Sequence, residues 1–242
     1  MNLINFNMDS WVALSPGIAT PEDWLSWSNN RRQWPIAPLP VAAHLIKPMM
    51  RRRMSSLSKL ALQAALQVST EIKIDYIIFS SRHGELTRTV KLMEDIIAGE
   101  DASPMAFSQS VHNTAAGLFT ISSQRATPVT SIAAVESSLH HAFIEAAIYL
   151  QENPTNQVLI VDFDEPLPEQ YSKYSQQGDN QVGYAFAAIV NQGDSVELSW
   201  CKNSEQAPEP FPQSLLLIDA LVQQKQTNTI VDQRFKWTWK RK

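Results

Sequence analysis

The apolar positions change period several times along the chain, and each change marks an element. Residues 127–163 show this most clearly. Pro128 to Val135 is a short run rich in β-branched residues, which reads as a buried strand. From Ser137 onward, Leu139, Phe143, Ala147 and Leu150 recur every three or four residues and define one face of a helix. Asn153-Pro154 ends that helix, and Val158 to Val161 reads as a second buried strand. A strand feeding straight into a helix places Val135, Glu136 and Ser137 at a helix start. Unpaired backbone N–H groups and the helix dipole favour an anion or a nucleophile there. The tip of this turn carries the carboxylate of Glu136.

The same reading covers the rest of the chain. Residues 3–14 predict an opening strand closed by Ser15-Pro16-Gly17, and Thr20-Pro21-Glu22-Asp23 predicts a capped helix start. Trp24, Trp27 and Trp34 are assigned to packing. Residues 35–50, rich in proline, predict an irregular crossing segment. A helix is expected from Arg51-Arg52-Arg53 to Glu71, with Leu57, Leu60, Ala61, Ala64 and Ala65 inward. Asp75 to Ser80 predicts a strand. The next helix should run from His83 to Gly99, with Leu86, Val90, Met93 and Ile97 as a core stripe. Ser103 to Gln109 reads as extended or looped, and Asn113 to Ser123 as helical. Residues 164–181, with Pro166, Pro168 and Gly178, read as a polar surface excursion. Val182–Val190 and Val196–Cys201 predict a hairpin around Gln192-Gly193-Asp194. A linker at 204–213, a helix at 214–224 and an edge strand alternating Phe235, Trp237 and Trp239 with basic residues complete the chain. Strands alternating with helices predict an α/β layered domain, and the later β segments an antiparallel addition to it.

Composition narrows the function. A chain of 242 residues, 44% hydrophobic and 18% charged, can bury one good core or two small ones. Its formal charge of −4 gives no reason to expect a nucleic-acid partner. No apolar run approaches the ~18 residues needed to span a membrane, and MNLINFNMDSW lacks the basic start of a signal peptide. One cysteine, Cys201, excludes an internal disulfide framework, suits a reducing cytoplasm and is expected to be structural. There is no metal-spaced Cys/His cluster and no phosphate-cradling glycine loop, so no cofactor is expected. Arg51, Arg52 and Arg53 read as a solvated face, or as a docking point for an acidic partner such as a carrier protein. Ser137 and Ser138 lack the flanking glycines of a nucleophile elbow and read as helix caps. One rival remains, a stand-alone acyltransferase or hydrolase using Ser137 with His140 or His141.

Ser103-Pro104, Asn113-Thr114-Ala115-Ala116-Gly117, Pro128 and Val135-Glu136-Ser137-Ser138 resemble, without a gap, the segment around the active-site cysteine of β-ketoacyl-ACP synthases. In that register Glu136 stands where the nucleophilic cysteine would. RRRMSSLSKLALQAAL and GYAFAAIV also match, so the resemblance spans roughly residues 3–190. It implies a truncated thiolase-like fold: residues 1–191 as the ketosynthase-like N-terminal half, and 192–242 as a β-rich extension completing the sheet or contacting a partner. Two departures shape the function it implies. The nucleophile is replaced, and nothing after Lys173 resembles the family's second half with its decarboxylating histidines. A synthase relative of this kind is similar to a chain length factor. SWVALSPG…TPEDWLSW, SSRHGELTRTV and SVHNTAAG resemble the short ketosynthase-like proteins of aryl polyene pathways.

The resemblance therefore implies a non-catalytic subunit that pairs with a full-length ketosynthase, as a heterodimer or a doubled one, and meets an acyl carrier protein. It places a chain-length gate and interface at Leu86, Val90, Met105 and Phe107, beside His112 and Asn113. A third reading is a stand-alone module that binds carrier protein.

Overall fold

A computed structural model describes residues 2–124, 126–175, 182–204 and 206–242. Gly178 of the expected surface excursion lies outside the described residues. In chain order the elements are β1 (Asn2–Leu14), α1 (Pro21–Asn29), α2 (Pro48–Arg51), α3 (Ser56–Val68), β2 (Tyr76–Ser80), α4 (Leu86–Ile97), α5 (Pro104–Ser108) and α6 (Thr114–Ser123). They continue with β3 (Val129–Ile132), α7 (Ser138–Glu152), β4 (Gln157–Asp164), β5 (Tyr184–Lys202), α8 (Gln213–Val222), β6 (Thr227–Val231) and β7 (Phe235–Arg241).

One mixed sheet organises them, in the order β3-β2-β4-β5-β7-β6, with β1 pairing along β5. β2 is parallel to β3 and β4, and every pairing made by β5 is antiparallel. The central strands are apolar at successive positions because both faces are covered. In β4, Val158 and Ile160 face one core while Leu159 and Val161 face the other. α7, α1 and α8 pack on the first face, and α3 and α6 on the second. Both layers are built from the residues whose spacing singled them out, among them Leu57, Leu60, Ala61, Ala64 and Ala65 of α3 and Leu139, Phe143 and Leu150 of α7. Thr20 caps α1 in a capping box with Asp23. Trp24 and Trp27 are buried edge-to-face, and the Trp24 indole donates to the Ala13 carbonyl at 2.8 Å.

Several expectations are corrected. The hairpin at 192–194 does not form; β5 continues through it as one 19-residue strand. Opposite Phe6 stands Val196 and opposite Asn7 stands Asn191, so residues 192–195 bulge out of register with β1. The Asn7 side chain fills that bulge, accepting from Ser195 N at 3.1 Å and donating to the Gln192 carbonyl at 3.3 Å. β5 therefore runs unbroken across residues 191 and 192, where the sequence places the start of the extension.

The tail is not an edge. β7 lies between β5 and β6, and burying Trp237 and Trp239 in the first core is what draws it inward. The α3 helix starts after the arginines because the Ser55 side chain caps it, accepting from Ser58 N at 2.9 Å. Ser103 and Pro104 start a short helix, α5, where extended or looped chain was expected. The stripe on α4 is core only in its first half, where Val90 is buried and Leu86 half-buried. Val90 and Leu92 are buried, whereas Met93 and Ile97 are 41% and 85% exposed. Cys201 is exposed on β5.

Candidate functional site

Between β3 and α7 the chain makes a single 3₁₀ turn, Val135–Ser137. Val135 sits at φ +55°, the left-handed region that a β-branched side chain rarely enters. Ser138 closes the turn from below. Its hydroxyl donates to the Val135 carbonyl at 2.9 Å and accepts from Ala134 N at 3.0 Å. Such strain persists only where the surroundings over-determine it, and it concentrates at functional sites.

The Glu136 carboxylate pairs with Arg82, Oε1 to Nη2, at 3.0 Å, with both side chains about a fifth exposed. Arg82 comes from the β2–α4 connection, which Asp164 at the end of β4 holds in place. Asp164 accepts from Ser81 Oγ at 2.8 Å, Arg82 N at 2.9 Å and His83 N at 3.2 Å. Burial, reinforced by neighbouring Asp162, pushes the Asp164 carboxyl up to about 7. Burial likewise raises Asp162 to about 6, against the opposing hydroxyls of Ser214, Ser80 and Tyr184. Burial also raises the phenol of Tyr184 well above its usual range. Arg82, Glu136, Asp162, Asp164 and Tyr184 share a cavity of about 60 Å³. That volume holds a few waters and is far below the ~300 Å³ or more of a ligand pocket.

The hydroxyl of Ser137 is committed elsewhere, and Ser137 does not cap α7. It donates to Asp232, which also accepts from Gln213 Nε2 at 2.8 Å, Trp237 Nε1 at 2.9 Å and the backbone N–H groups of Arg234 and Phe235. Burial acts to raise the Asp232 carboxyl, but these donors outweigh it and hold it below the ordinary range. His140 is fully buried and stacked on Trp237 at 4.3 Å. The Trp239 indole donates to its Nε2 at 3.0 Å, so the ring proton resides on Nδ1, facing Gln213 Oε1. Burial depresses its pKa to about 3, leaving it neutral. His141 donates from Nδ1 to the Ser137 carbonyl at 2.9 Å and lies edge-to-face with Phe235 and Trp237. Neither imidazole reaches the Ser137 hydroxyl, so the serine–histidine arrangement of the rival reading is not assembled.

The gate residues divide. Met105 and Phe107 are 47% and 65% exposed on α5, beside α4; Leu86 is half-buried; Val90 is buried within this chain's own interior. His112 donates from Nε2 to the Ser81 carbonyl at 2.9 Å and backs onto Gly84, where φ is +56° and an added Cβ would meet the His112 backbone at 3.1 Å. His112 and exposed Asn113 line an open concavity against Val129–Ser131 of β3. Arg51 donates to the Ala43 carbonyl at 3.0 Å, while Arg52 and Arg53 lie at the surface away from the turn. Among the described residues no His/Cys/Asp/Glu cluster could hold a metal ion, and no helix is long and apolar enough to cross a membrane. The sequence reading missed Arg82, Asp162, Asp164 and Asp232. Only VLIVDFD carried a signal for any of them, two acids inside a run otherwise apolar enough to be buried.

A family profile described as the N-terminal domain of β-ketoacyl synthases matches residues 24–240. The chain belongs to that family. Its fold is the mixed α/β, thiolase-like ketosynthase fold, and solved structures agree. The chain is similar to one from the ketosynthase ApeO in complex with its chain length factor ApeC from Xenorhabdus doucetiae, at 26% identity and a TM-score of 0.88, covering 98% of this chain and 100% of that one. It is similar to the ishigamide ketosynthase/chain length factor at 15% identity and a TM-score of 0.62, covering 83% and 67%. A β-ketoacyl synthase from Burkholderia phymatum STM815 aligns at 10% identity with a TM-score of 0.61, covering 92% and 71%. No curated protein matches the chain. Two of these three neighbours come from ketosynthase and chain-length-factor assemblies.

Proposed function

We propose that the chain is a non-catalytic chain length factor, pairing with a full-length ketosynthase in polyketide or aryl polyene extension and walling off part of the partner's acyl tunnel. One observation carries this reading. Where the resemblance puts the acylated cysteine, Glu136 is tied to Arg82 over a cavity of about 60 Å³. A carboxylate cannot form the thioester that condensation passes through. The surface around this turn supports the pairing. Met93 and Ile97 on α4, Phe107 on α5, Ile121 on α6 and Val135 on the turn are exposed apolar side chains, and among the described strands β3 stands at one end of the sheet. Apolar surface of this kind marks an interaction site. An acyl carrier protein would deliver substrate to such a complex.

The test is reconstitution with the partner ketosynthase, acyl and malonyl carriers. The expected result is no condensation by this chain alone, none by its Glu136→Cys variant alone, and extension when the ketosynthase is added. Unaided condensation by either form would overturn the proposal.

A further inference from the structure

Between Asp23 and Glu71 the chain has no carboxylate, yet it carries seven cations: Arg31, Arg32, Lys47, Arg51–Arg53 and Lys59. In a chain of formal charge −4 this is a local inversion of sign. Arg32 is answered by Asp219 and Glu209. Arg31, Lys47, Arg52 and Arg53 are exposed, and among the described residues no carboxylate lies within ion-pair distance of them. The same stretch holds Ile36, Leu39 and Met49, which are 99%, 80% and 76% exposed.

Ile36 and Leu39 stand on a braced tip. Pro35, Pro38 and Pro40 restrict its backbone, and Ala37 turns it at φ +50°. Gly17 lies against it, donating from N to the Leu39 carbonyl at 3.0 Å. A side chain at Gly17 would meet Pro38 Cβ at 3.0 Å, so the close approach needs glycine. The tip is thus held with its two bulky apolar side chains outward, with Arg31 on one side in sequence and Lys47, Arg52 and Arg53 on the other.

We propose that residues 31–53 dock this protein on an anionic lipid bilayer. Ile36 and Leu39 enter the headgroup boundary, and Arg31, Lys47, Arg52 and Arg53 meet lipid phosphates. A narrow tip fits a bilayer better than a folded partner. A protein interface buries a broad, continuous patch, whereas interfacial attachment needs a few inserted apolar side chains and basic neighbours drawn to anionic lipid. Cations with long apolar stems suit that boundary as well. The proposal is independent of the chain-length-factor reading.

The test is sedimentation of the full chain, co-purified with its ketosynthase where it needs one, with vesicles of phosphatidylcholine and of phosphatidylcholine mixed with phosphatidylglycerol. Binding is expected to the mixed vesicles alone, weakening as salt screens the charges. Arg52→Gln with Arg53→Gln should weaken binding roughly 25-fold, about fivefold per cation removed. Ile36→Ser with Leu39→Ser should release the protein while its melting temperature stays unchanged. No binding to the mixed vesicles, equal binding to both kinds, or variants that bind like the parent would each overturn the proposal. Capture of an acidic carrier protein in place of vesicles would do the same.

Discussion

At φ +55°, Val135 carries roughly 1–2 kcal/mol of backbone strain in the middle of the site. The turn tolerates it because Ser138 and the Arg82–Glu136 pair hold both of its ends. Glu136→Gln removes the charge from that pair. With both side chains about a fifth exposed, the loss should be about 1 kcal/mol, a fall in melting temperature of ~2–4 °C for a chain this long. A calorimetric scan checks it, and an unchanged midpoint would reduce Glu136 to a bystander. Asp162 offers a pH test. Its folded pKa of about 6 lies above the ordinary 3.8, so the folded state binds the extra proton and its contribution to stability is lost as pH rises from about 4 to about 6. Asn at 162 does not titrate, and the three hydroxyls around it can turn to donate or accept. The parent's stability, relative to Asp162→Asn, should therefore decline across that window. Urea melts at several pH values read this directly, and parallel curves would contradict the burial argument.

The bulge in β5 sets how far the sheet extends at the scale of the element. Asn7 replaces the hairpin by satisfying Ser195 N and the Gln192 carbonyl from the opposite strand. A Cβ on Gly193 would overlap the Asn7 amide, so Gly193→Ala should cost ~1–3 kcal/mol by displacing that side chain from its hydrogen bonds. Chemical denaturation measures the loss, and a neutral result would show that Asn7 can leave freely. On the opposite side, α5 carries Met105 and Phe107 outward, while Val90 on α4 is sealed inside. Met105→Ala and Phe107→Ala should therefore lengthen the products of the reconstituted complex at little cost to this chain's own stability. Product profiles by mass decide it; identical lengths from every variant would place the gate elsewhere.

For the whole molecule, the decisive feature is the mismatch between what it buries and what it leaves bare. Its two cores are closed, yet Met93 and Ile97 on α4, Phe107 on α5, Ile121 on α6 and Val135 on the turn remain exposed. Obligate interfaces bury ~2,000–5,000 Å². A chain of this size has only ~5–15 kcal/mol of net stability, so covering that face should govern its behaviour in solution. The expected outcome is poor yield or aggregation when the chain is expressed alone, and a soluble 1:1 complex with the ketosynthase. Size-exclusion chromatography with light scattering reports it; a monodisperse, cooperatively melting monomer at micromolar concentration would contradict the pairing.

The sequence by itself determined the layered α/β order, the opening strand, the Thr20 cap, both inner helix faces and the strand–turn–helix around Glu136. Each of these rests on short-range periodicity or on caps that act within a few residues. It also carried the resemblance that put Glu136 at the nucleophile's position. Only the tertiary structure decided what those residues meet. Arg82 reaches Glu136 across 54 positions, Ser137 finds Asp232 across 95, and Asn7 closes a bulge 188 residues away. Nothing in local spacing encodes such partners. The α4 stripe makes the same point from the other side. Its apolar period was legible, but whether such a face lies in a core or on a bare surface depends on what packs above it. Here Met93 stays 41% and Ile97 85% exposed among the described residues, because the core that α3 and α6 build does not include them.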